Sequence, residues 1–167
     1  PMDKRREKLK NKYLAIYDVD SLKNLPINFD GIVMQEDEEY GNLVWDKHFG
    51  SNYTILQKQK KIYQTFGFFN PFASLQSVSM GFCGTDMVHH LDFLEKAEEY
   101  RRYLIKALND KHAYGGAKTG DWKWTVDSIF FKSIKDFSYN TPKISNYLSY
   151  YLIDLLCLLW WGILTTV

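Results

Sequence analysis

The sequence predicts an all-α protein, an antiparallel bundle of long helices with irregular aromatic loops and a C-terminal transmembrane helix. Apolar residues recur at three- and four-residue steps through much of the 167-residue chain, which is the period of an amphipathic helix. Residues 66–84 depart from this pattern, yet they show no strong strand alternation. Residues 147–167 carry one charged side chain, Asp154, as is typical of a segment that lies in lipid.

Composition limits the possible functions. The formal net charge is +1, from 21 basic and 20 acidic side chains, so the chain has no broad attraction for nucleic acid and no such partner is expected. Aromatic residues make up 17% of the sequence. This density suits a large core, or a surface lying against lipid headgroups, where amphipathic rings collect.

The N-terminal part of the chain predicts one helix and one connector. Residues 3–17 are rich in charge and place Leu9 on a narrow apolar stripe, which indicates a solvated helix. Residues 21–31 contain Pro26 and end in Gly31, so we expect irregular structure there. The charged N-terminus lacks the apolar core of a signal peptide, so the chain is either cytosolic or a fragment that follows a membrane helix.

The middle of the chain predicts a long helix followed by a short one. Residues 36–66 show helical periodicity, with a kink or break expected near Gly50 because glycine destabilises a helix interior. Residues 66–84 carry no charged side chain and are too short and too polar to span a bilayer. We therefore predict a short amphipathic helix that starts at Pro71 and lies at a membrane interface.

The clearest helix is predicted over residues 85–112. Thr85 is the expected N-cap, and the apolar stripe of this helix is interrupted at Arg101. Two glycines end the helix, so residues 115–121 are expected to form a loop. Residues 122–139 are rich in aromatic side chains and predict a partly buried, irregular segment.

The C-terminal tail is long enough to cross a membrane. Residues 147–167 would extend ~31 Å as a helix, close to the hydrocarbon thickness of a bilayer. Tyrosines cluster at its start, where an interfacial aromatic belt would lie. A buried core helix is the alternative, but the tail lacks the polar face of a globular surface helix. The predicted domains are therefore 1–143, a helical domain outside the membrane, and 144–167, the start of a transmembrane helix.

Motifs that suggest nucleotide or metal chemistry do not meet the requirements of such sites. Residues 115–120 superficially suggest a phosphate-binding loop, but a P-loop needs glycine where Ala117 stands. His89 and His90 point about 100° apart on a helix, and His89 with Asp92 gives only two ligands, fewer than zinc requires. We expect one of these histidines to pack and the other to face solvent or a carboxylate.

No catalytic group is predicted either. Residues 36–39 form a run of four carboxylates, which a helix dipole explains better than a pair of catalytic acids placed across a cleft. The serines lack the context of a nucleophile elbow. The sequence therefore predicts no catalytic residue, no metal site and no cofactor, and we expect that the protein is not an enzyme.

Asp154 is the first candidate for a functional contact. A carboxylate in mid-membrane costs about 2.5–3.5 kcal/mol on insertion scales, so such residues usually face other helices or a polar path. One hypothesis places Asp154 against other helices near a translocation route. The other places it close enough to the membrane surface to be hydrated.

An uncharged aromatic stretch is the second candidate. Phe68, Phe69, Phe72 and Phe82 would contact lipid, or a hydrophobic substrate leaving the bilayer, if the stretch lies beside the membrane. Packing in an ordinary core is the alternative, because a domain this rich in aromatic side chains must bury many of them.

Several stretches of the sequence together resemble a known family. These are, in order, DGIVMQEDEEYGNLVWDKHF at residues 30–49, NPF at 70–72, SMG at 79–81, GTD at 84–86 and HHLDF at 89–93. An aromatic loop and the apolar tail follow them. This order resembles bacterial export-type ABC transporter permeases that carry a domain of unknown function between membrane helices.

The resemblance implies a place in a transporter. The main domain would lie on the extracytoplasmic side of the bacterial inner membrane, after one membrane helix, and residues 147–167 would begin the next. A separate ATPase subunit and a permease partner would join the full-length protein, and ATP hydrolysis would belong to the ATPase. The resemblance supplies no substrate and no catalytic residues.

Two other classes of protein stay open at this stage. The chain is alternatively a C-terminally anchored helical adaptor that binds other proteins. A membrane-associated hydrolase is a third reading, but no convergent set of nucleophile, base and oxyanion donors supports it.

Overall fold

The computed structural model describes residues 2–67, 69–121 and 123–166. The chain is 78% helical, and no β-strand occurs in these three ranges, which confirms the predicted all-α class. The α-helices are α1 (Met2–Tyr17), α2 (Phe29–Gly67), α3 (Pro71–Cys83), α4 (Met87–Tyr114), α5 (Ser128–Ser133) and α6 (Ile144–Thr166).

The helices form two compact units. The first unit comprises Pro1–Asp46 and Glu99–Phe137, and the second comprises Lys47–Glu98 and Ser138–Val167. The predicted domain 1–143 therefore contributes to both units, and its placement relative to a membrane stays a prediction.

In the first unit, α2 and α4 run antiparallel, as predicted for the long helices of the bundle. Arg101 forms an ion pair with Glu38 at 2.7 Å and donates to Asn42 Oδ1 at 2.7 Å. Near the other end of this contact, Asn109 Nδ2 donates to Gln35 Oε1 at 3.1 Å. Arg101 thus interrupts the apolar stripe of α4 because it bonds to polar groups of α2.

Helix α2 begins earlier than its hydrophobic pattern indicates. Asn28 is buried, and its side chain accepts a hydrogen bond from Asp30 N at 3.0 Å, so it caps the helix. Gly31, predicted to lie in a connector, is inside the helix and packs against Ala113. A Cβ atom at Gly31 would lie 2.6 Å from the backbone nitrogen of Ala113, so only glycine permits this close approach.

Helix α2 continues through Gly50, so the predicted break does not occur there. This glycine is exposed, and its destabilising effect of about 1 kcal/mol is small beside the packing of a 39-residue helix. The run of carboxylates at 36–39 lies beyond the first turn, so the helix dipole does not explain it. Glu38 instead pairs with Arg101.

The loop of residues 115–121, in the first unit, is hydrogen-bonded to the start of α2. Thr119 Oγ1 accepts from Phe29 N at 3.0 Å, and Gly120 N donates to Asp30 Oδ2 at 2.8 Å. The first bond satisfies the N–H of Phe29, which has no partner within α2. The second bond holds the loop through the carboxylate of Asp30. The loop therefore has a structural role at α2.

In the second unit, α3 begins at Pro71, as predicted, and packs against α6. Asn70 caps it, because its side chain accepts from Phe72 N at 3.1 Å. Helix α4 starts at Met87, and its cap is Asp86 where Thr85 was expected: the Asp86 side chain accepts from Val88 N and His89 N, both at 3.3 Å.

Candidate membrane-contact site

Helix α6 buries one narrow stripe and exposes the rest of its apolar surface. Residues Tyr147–Thr166 are long and apolar enough to cross a membrane. Only a few of its side chains are buried, at three-residue steps: Tyr151, Asp154 and Cys157. The exposed ones are Leu148, Leu152, Ile153, Leu156, Leu159, Trp160, Ile163 and Leu164. Within the described chain, α6 is therefore not the enclosed core helix that formed the alternative reading.

Asp154 lies at the centre of the buried stripe and is 1% exposed. Its Oδ2 atom accepts from Gln64 Nε2 of α2 at 2.9 Å and from Ser77 Oγ of α3 at 2.9 Å. Gln64 Nε2 also donates to the carbonyl oxygen of Tyr150 at 2.9 Å. Three helices of the second unit thus meet at one carboxyl group.

This geometry bears on the two hypotheses for Asp154. The side chain faces helices α2 and α3 of this same chain, and burial separates it from solvent. A polar group away from water is tolerated when its hydrogen bonds are satisfied, which Gln64 and Ser77 achieve here. A role near a translocation route stays a prediction.

Two serines on α3 offer a test of this contact. We expect Ser77→Ala to lower the free energy of unfolding by about 1 kcal/mol, because Asp154 loses a donor. Ser74→Ala is the matched control, because the buried Ser74 hydroxyl makes no hydrogen bond in the structure, and its removal should leave stability unchanged or raise it. Chemical unfolding in detergent micelles measures both. Equal losses in the two variants would contradict the assigned contact.

Close packing aligns α3 and the end of α2 with α6. A Cβ atom at Gly81 would lie 2.5 Å from the ring of Tyr151, so the ring sits directly over the α3 backbone. Cys157 Sγ lies 3.5 Å from the carbonyl oxygen of Gly67 at the end of α2. The first contact requires glycine at position 81, whereas a Cβ atom at Gly67 would lie 3.7 Å from the nearest atom, an ordinary contact distance.

The candidate phenylalanines are on the surface of the second unit. Phe69 is 80% exposed, Phe72 77% and Phe82 65%, so the core-packing alternative is wrong for these three. Phe68 lies outside the described residues. Of these, Phe82 lies beside Leu148 and Leu155 of α6 around a shallow apolar pocket, so exposed apolar side chains of α3 and α6 adjoin there.

Lys60 marks the polar edge of this surface. Its ammonium group lies 4.6 Å from the centre of the Tyr151 ring and 5.3 Å from that of Tyr150. Burial lowers the pKa of Lys60, against the opposing influence of the carboxylates of Asp86 and Asp154. A cation over aromatic rings is the arrangement expected where an apolar surface meets water.

A cleft of about 180 Å³ opens beside Lys60. Its walls include Leu56, Met87, Leu91 and Ile153, which are apolar. The cleft thus combines an apolar interior with a cationic edge, a composition suited to an amphipathic molecule.

Asp86 is a buried polar centre that was not predicted as a site residue. It accepts hydrogen bonds from the Tyr151 hydroxyl and the His89 ring. Burial raises the pKa of Asp86, but the bonds from Tyr151, His89 and the backbone N–H of Val88 outweigh this and lower its pKa overall. The available signal was an aspartate in the first turn of a predicted helix, where its carboxylate can accept from free backbone N–H groups.

The depressed pKa of Asp86 predicts acid sensitivity. A carboxyl group whose pKa is lower in the folded state stabilises the fold above its ordinary pKa of 3.8 and loses this contribution as pH falls through the folded-state value. We expect acidification through that range to lower the free energy of unfolding of the native chain more than that of Asp86→Asn. Unfolding in micelles across pH measures this. Asp136→Asn, an exposed position, should follow the native profile, and parallel profiles for all three proteins would contradict the prediction.

The two adjacent histidines differ in burial as predicted, since His89 is buried and His90 is exposed.

Asp92 accepts hydrogen bonds from the hydroxyls of Tyr139 at 3.0 Å and Tyr147 at 3.2 Å. In the part of the chain that the structure describes, no group of three or more potential metal ligands occurs. Asp92 thus fixes the aromatic segment and the start of α6 to α4.

Comparisons with known proteins place the chain in a family. No curated protein and no solved structure matches it. A family model described as "Domain of unknown function (DUF3526)" matches residues 1–140. The match includes α1 to α5 and ends before α6. Because it covers most of the sequence, the chain belongs to the DUF3526 family of domains of unknown function.

Proposed function

We propose that this chain is the extracytoplasmic part of the permease subunit of a bacterial export-type ABC transporter, with α6 as a membrane-spanning helix. The observation that carries the proposal is the surface of α6. Its outer face is apolar and exposed, while its one carboxylate is buried and hydrogen-bonded to α2 and α3. Lipid is the environment that favours both properties, because it solvates apolar side chains and penalises unsatisfied polar groups.

Residues at the start of α6 support the same placement. Tyr147, Tyr150 and Tyr151 lie together there, and the Lys60 ammonium covers two of their rings. Tyrosine and lysine at one level are typical of the headgroup region, where an apolar body and a polar tip are both solvated. The first unit lies outside the bilayer in this arrangement.

The chain contributes contacts to transport and no chemistry. A separate ATPase subunit supplies energy, and a permease partner completes the membrane pathway, as the resemblance of residues 30–93 to export-type permeases implies. The exposed phenylalanines and the cleft beside Lys60 are the surfaces available for lipid or for an amphipathic substrate. Handover of substrate or gating at this surface is the proposed role of the second unit.

Co-purification tests the partner assignment. The full-length protein, tagged and extracted in mild detergent, should retain an ABC ATPase subunit in stoichiometric amount. The control is the same preparation after alkaline extraction of the membranes, which removes peripheral proteins and should leave the tagged chain in the membrane. Recovery of the tagged chain without an ATPase would contradict the transporter role and favour the anchored adaptor.

Accessibility labelling tests the topology. Tyr114 is exposed at the end of α4, and a Tyr114→Cys variant in a Cys83→Ser background presents one exposed thiol. A membrane-impermeant maleimide added to intact spheroplasts should label it. Labelling only after the membrane is opened would place this unit in the cytoplasm and overturn the proposal.

A further inference from the structure

The end of α2, the following turn and α3 form a helical hairpin with no charged side chain. The sequence carries none of Asp, Glu, Lys, Arg or His from residue 62 to residue 85, and the charges resume at Lys61 on one side and Asp86 on the other. The tip of the hairpin, residues 66–72, exposes Phe66, Phe69 and Phe72. We call this segment, residues 62–85, the apolar hairpin.

Contacts with α6 fix the level of the apolar hairpin along that helix. Gly67 at the tip lies beside Cys157, and Gly81 near the end of α3 lies beside Tyr151. Tyr147 and Cys157 are ten residues apart in sequence, a rise of about 15 Å along a helix. The hydrocarbon core of a bilayer is about 30 Å thick, so the level of Cys157 is about half-way across it when Tyr147 lies at the surface.

We propose that the apolar hairpin enters the bilayer beside α6 and turns back near its middle, so that the chain meets lipid through three helical segments. This inference rests on the proposed function only for the placement of α6 in the membrane. The occupant of the exposed face is the lipid hydrocarbon. The packing of α3 against α6 argues for this occupant, because Phe82 of the hairpin lies beside Leu148 and Leu155 of α6 around one shallow apolar pocket.

In the hydrocarbon core of a bilayer, backbone N–H and C=O groups must form hydrogen bonds within the protein. The N–H groups of residues 69, 70, 72 and 73 in the turn do so. Phe69 N donates to Phe66 O at 3.1 Å, and Asn70 N donates to Gly67 O at 2.8 Å. Phe72 N is bonded to the Asn70 side chain, and Ala73 N donates to Asn70 O at 3.1 Å. Pro71, between them, has no N–H to satisfy.

Three polar side chains of the hairpin have partners within the protein, whereas the buried Ser74 hydroxyl has none. Gln64 and Ser77 donate to Asp154, and the Thr65 hydroxyl donates to the carbonyl oxygen of Lys61 at 2.9 Å. The carboxylate and its donors thus form an internal polar contact between the hairpin and α6. Charged side chains return where Lys60 covers the rings of Tyr150 and Tyr151, at the level expected of the headgroups.

Spin-label depth measurements on the full chain in vesicles of phosphatidylcholine and phosphatidylglycerol test the inference. Cysteines introduced one at a time at Phe69 and Phe72, in a Cys83→Ser background that leaves only the buried Cys157, replace side chains that are 80% and 77% exposed. We expect labels there to collide several-fold more often with oxygen, which dissolves in lipid, than with a water-soluble nickel chelate. Leu43→Cys is the matched control, because Leu43 is an apolar residue of the first unit that is 68% exposed, and its label should favour the chelate.

A fourth label at Ile163 of α6 separates failure of this inference from failure of the proposed function. Labels at Phe69 and Phe72 that favour the chelate, while the label at Ile163 favours oxygen, would overturn the hairpin insertion and leave the anchor intact. Chelate-accessible labels at all these positions would overturn both. Labels at Phe69 and Phe72 that are shielded from both reagents would show that protein covers the face, and would overturn lipid as its occupant.

Discussion

The Asp154→Leu variant should lose about 2–4 kcal/mol of its free energy of unfolding, because two donors, on Gln64 and Ser77, lose their acceptor in a buried place. Leucine has the same branching of side-chain heavy atoms with larger methyl groups in place of the oxygens, so it leaves no cavity, and the loss reports broken hydrogen bonds together with some crowding. The same change removes a carboxylate from α6, which makes its insertion into lipid more favourable by about 2.5–3.5 kcal/mol. The variant should therefore stay in the membrane while the apolar hairpin separates from α6 more readily.

Unfolding in detergent micelles measures the loss, and alkaline extraction of membranes measures the anchoring. Asp154→Asn is the matched control: both donors bond to the Oδ2 atom, and an amide oxygen at that place can accept both hydrogen bonds, so this variant should lose less of its free energy of unfolding than the leucine variant. Stability equal to the native chain in the leucine variant would contradict the structural role of the contact. Unchanged export by the intact transporter would contradict a role for Asp154 in translocation.

The second large effect is expected at Gly31. The free energy of unfolding of the Gly31→Ala variant should be about 1–3 kcal/mol lower than that of the native chain. The reason is that the new Cβ atom would lie 2.6 Å from the backbone nitrogen and 2.8 Å from the Cα atom of Ala113. A backbone contact cannot be relieved by rotating a side chain, so α2 must move away from α4. The bond from Asn28 N to Ala113 O, 2.8 Å long, would be disturbed by the same movement.

Gly41→Ala provides the comparison for Gly31→Ala on the same helix. A Cβ atom at Gly41 meets nothing within 4 Å, so alanine there should raise stability by about 0.5–1 kcal/mol through its higher helix propensity. Chemical unfolding should therefore show a lower free energy of unfolding for Gly31→Ala and a higher one for Gly41→Ala. A loss of stability in both variants would contradict the close approach of α2 and α4 at Gly31.

Most of the fold could be predicted from periodicity and from residues with strong local preferences. Pro71 marked the start of α3, and the uncharged tail marked α6. The start of α2 was missed because Gly31 was interpreted as part of a turn, whereas this glycine is required by the close approach of a helix 82 residues later in the sequence. Contacts between distant segments decide such positions, and a single sequence does not show them.

The candidate site was predictable in part. Asp154 was identified because an isolated carboxylate in an apolar tail is energetically costly. Its donors were not, because Gln64 and Ser77 become its neighbours only through the register of α2 and α3 against α6. Exposure of Phe69 and Phe72 was undecided for a related reason: hydrophobicity alone does not distinguish a core from a surface that faces lipid.

The different exposure of the two cysteines allows movement of the hairpin to be measured in the native chain. Cys83 is exposed, while Cys157 is buried against the tip of the hairpin. A thiol reagent therefore modifies Cys83 at once and reaches Cys157 only during excursions in which the two elements part. With a lipid-soluble reagent, a change in the ratio of the two modification rates reports a change in the population of the parted state without any substitution or label. If the chain acts in the proposed transporter, a change in this ratio on addition of substrate or ATPase subunit would show which of them opens the contact.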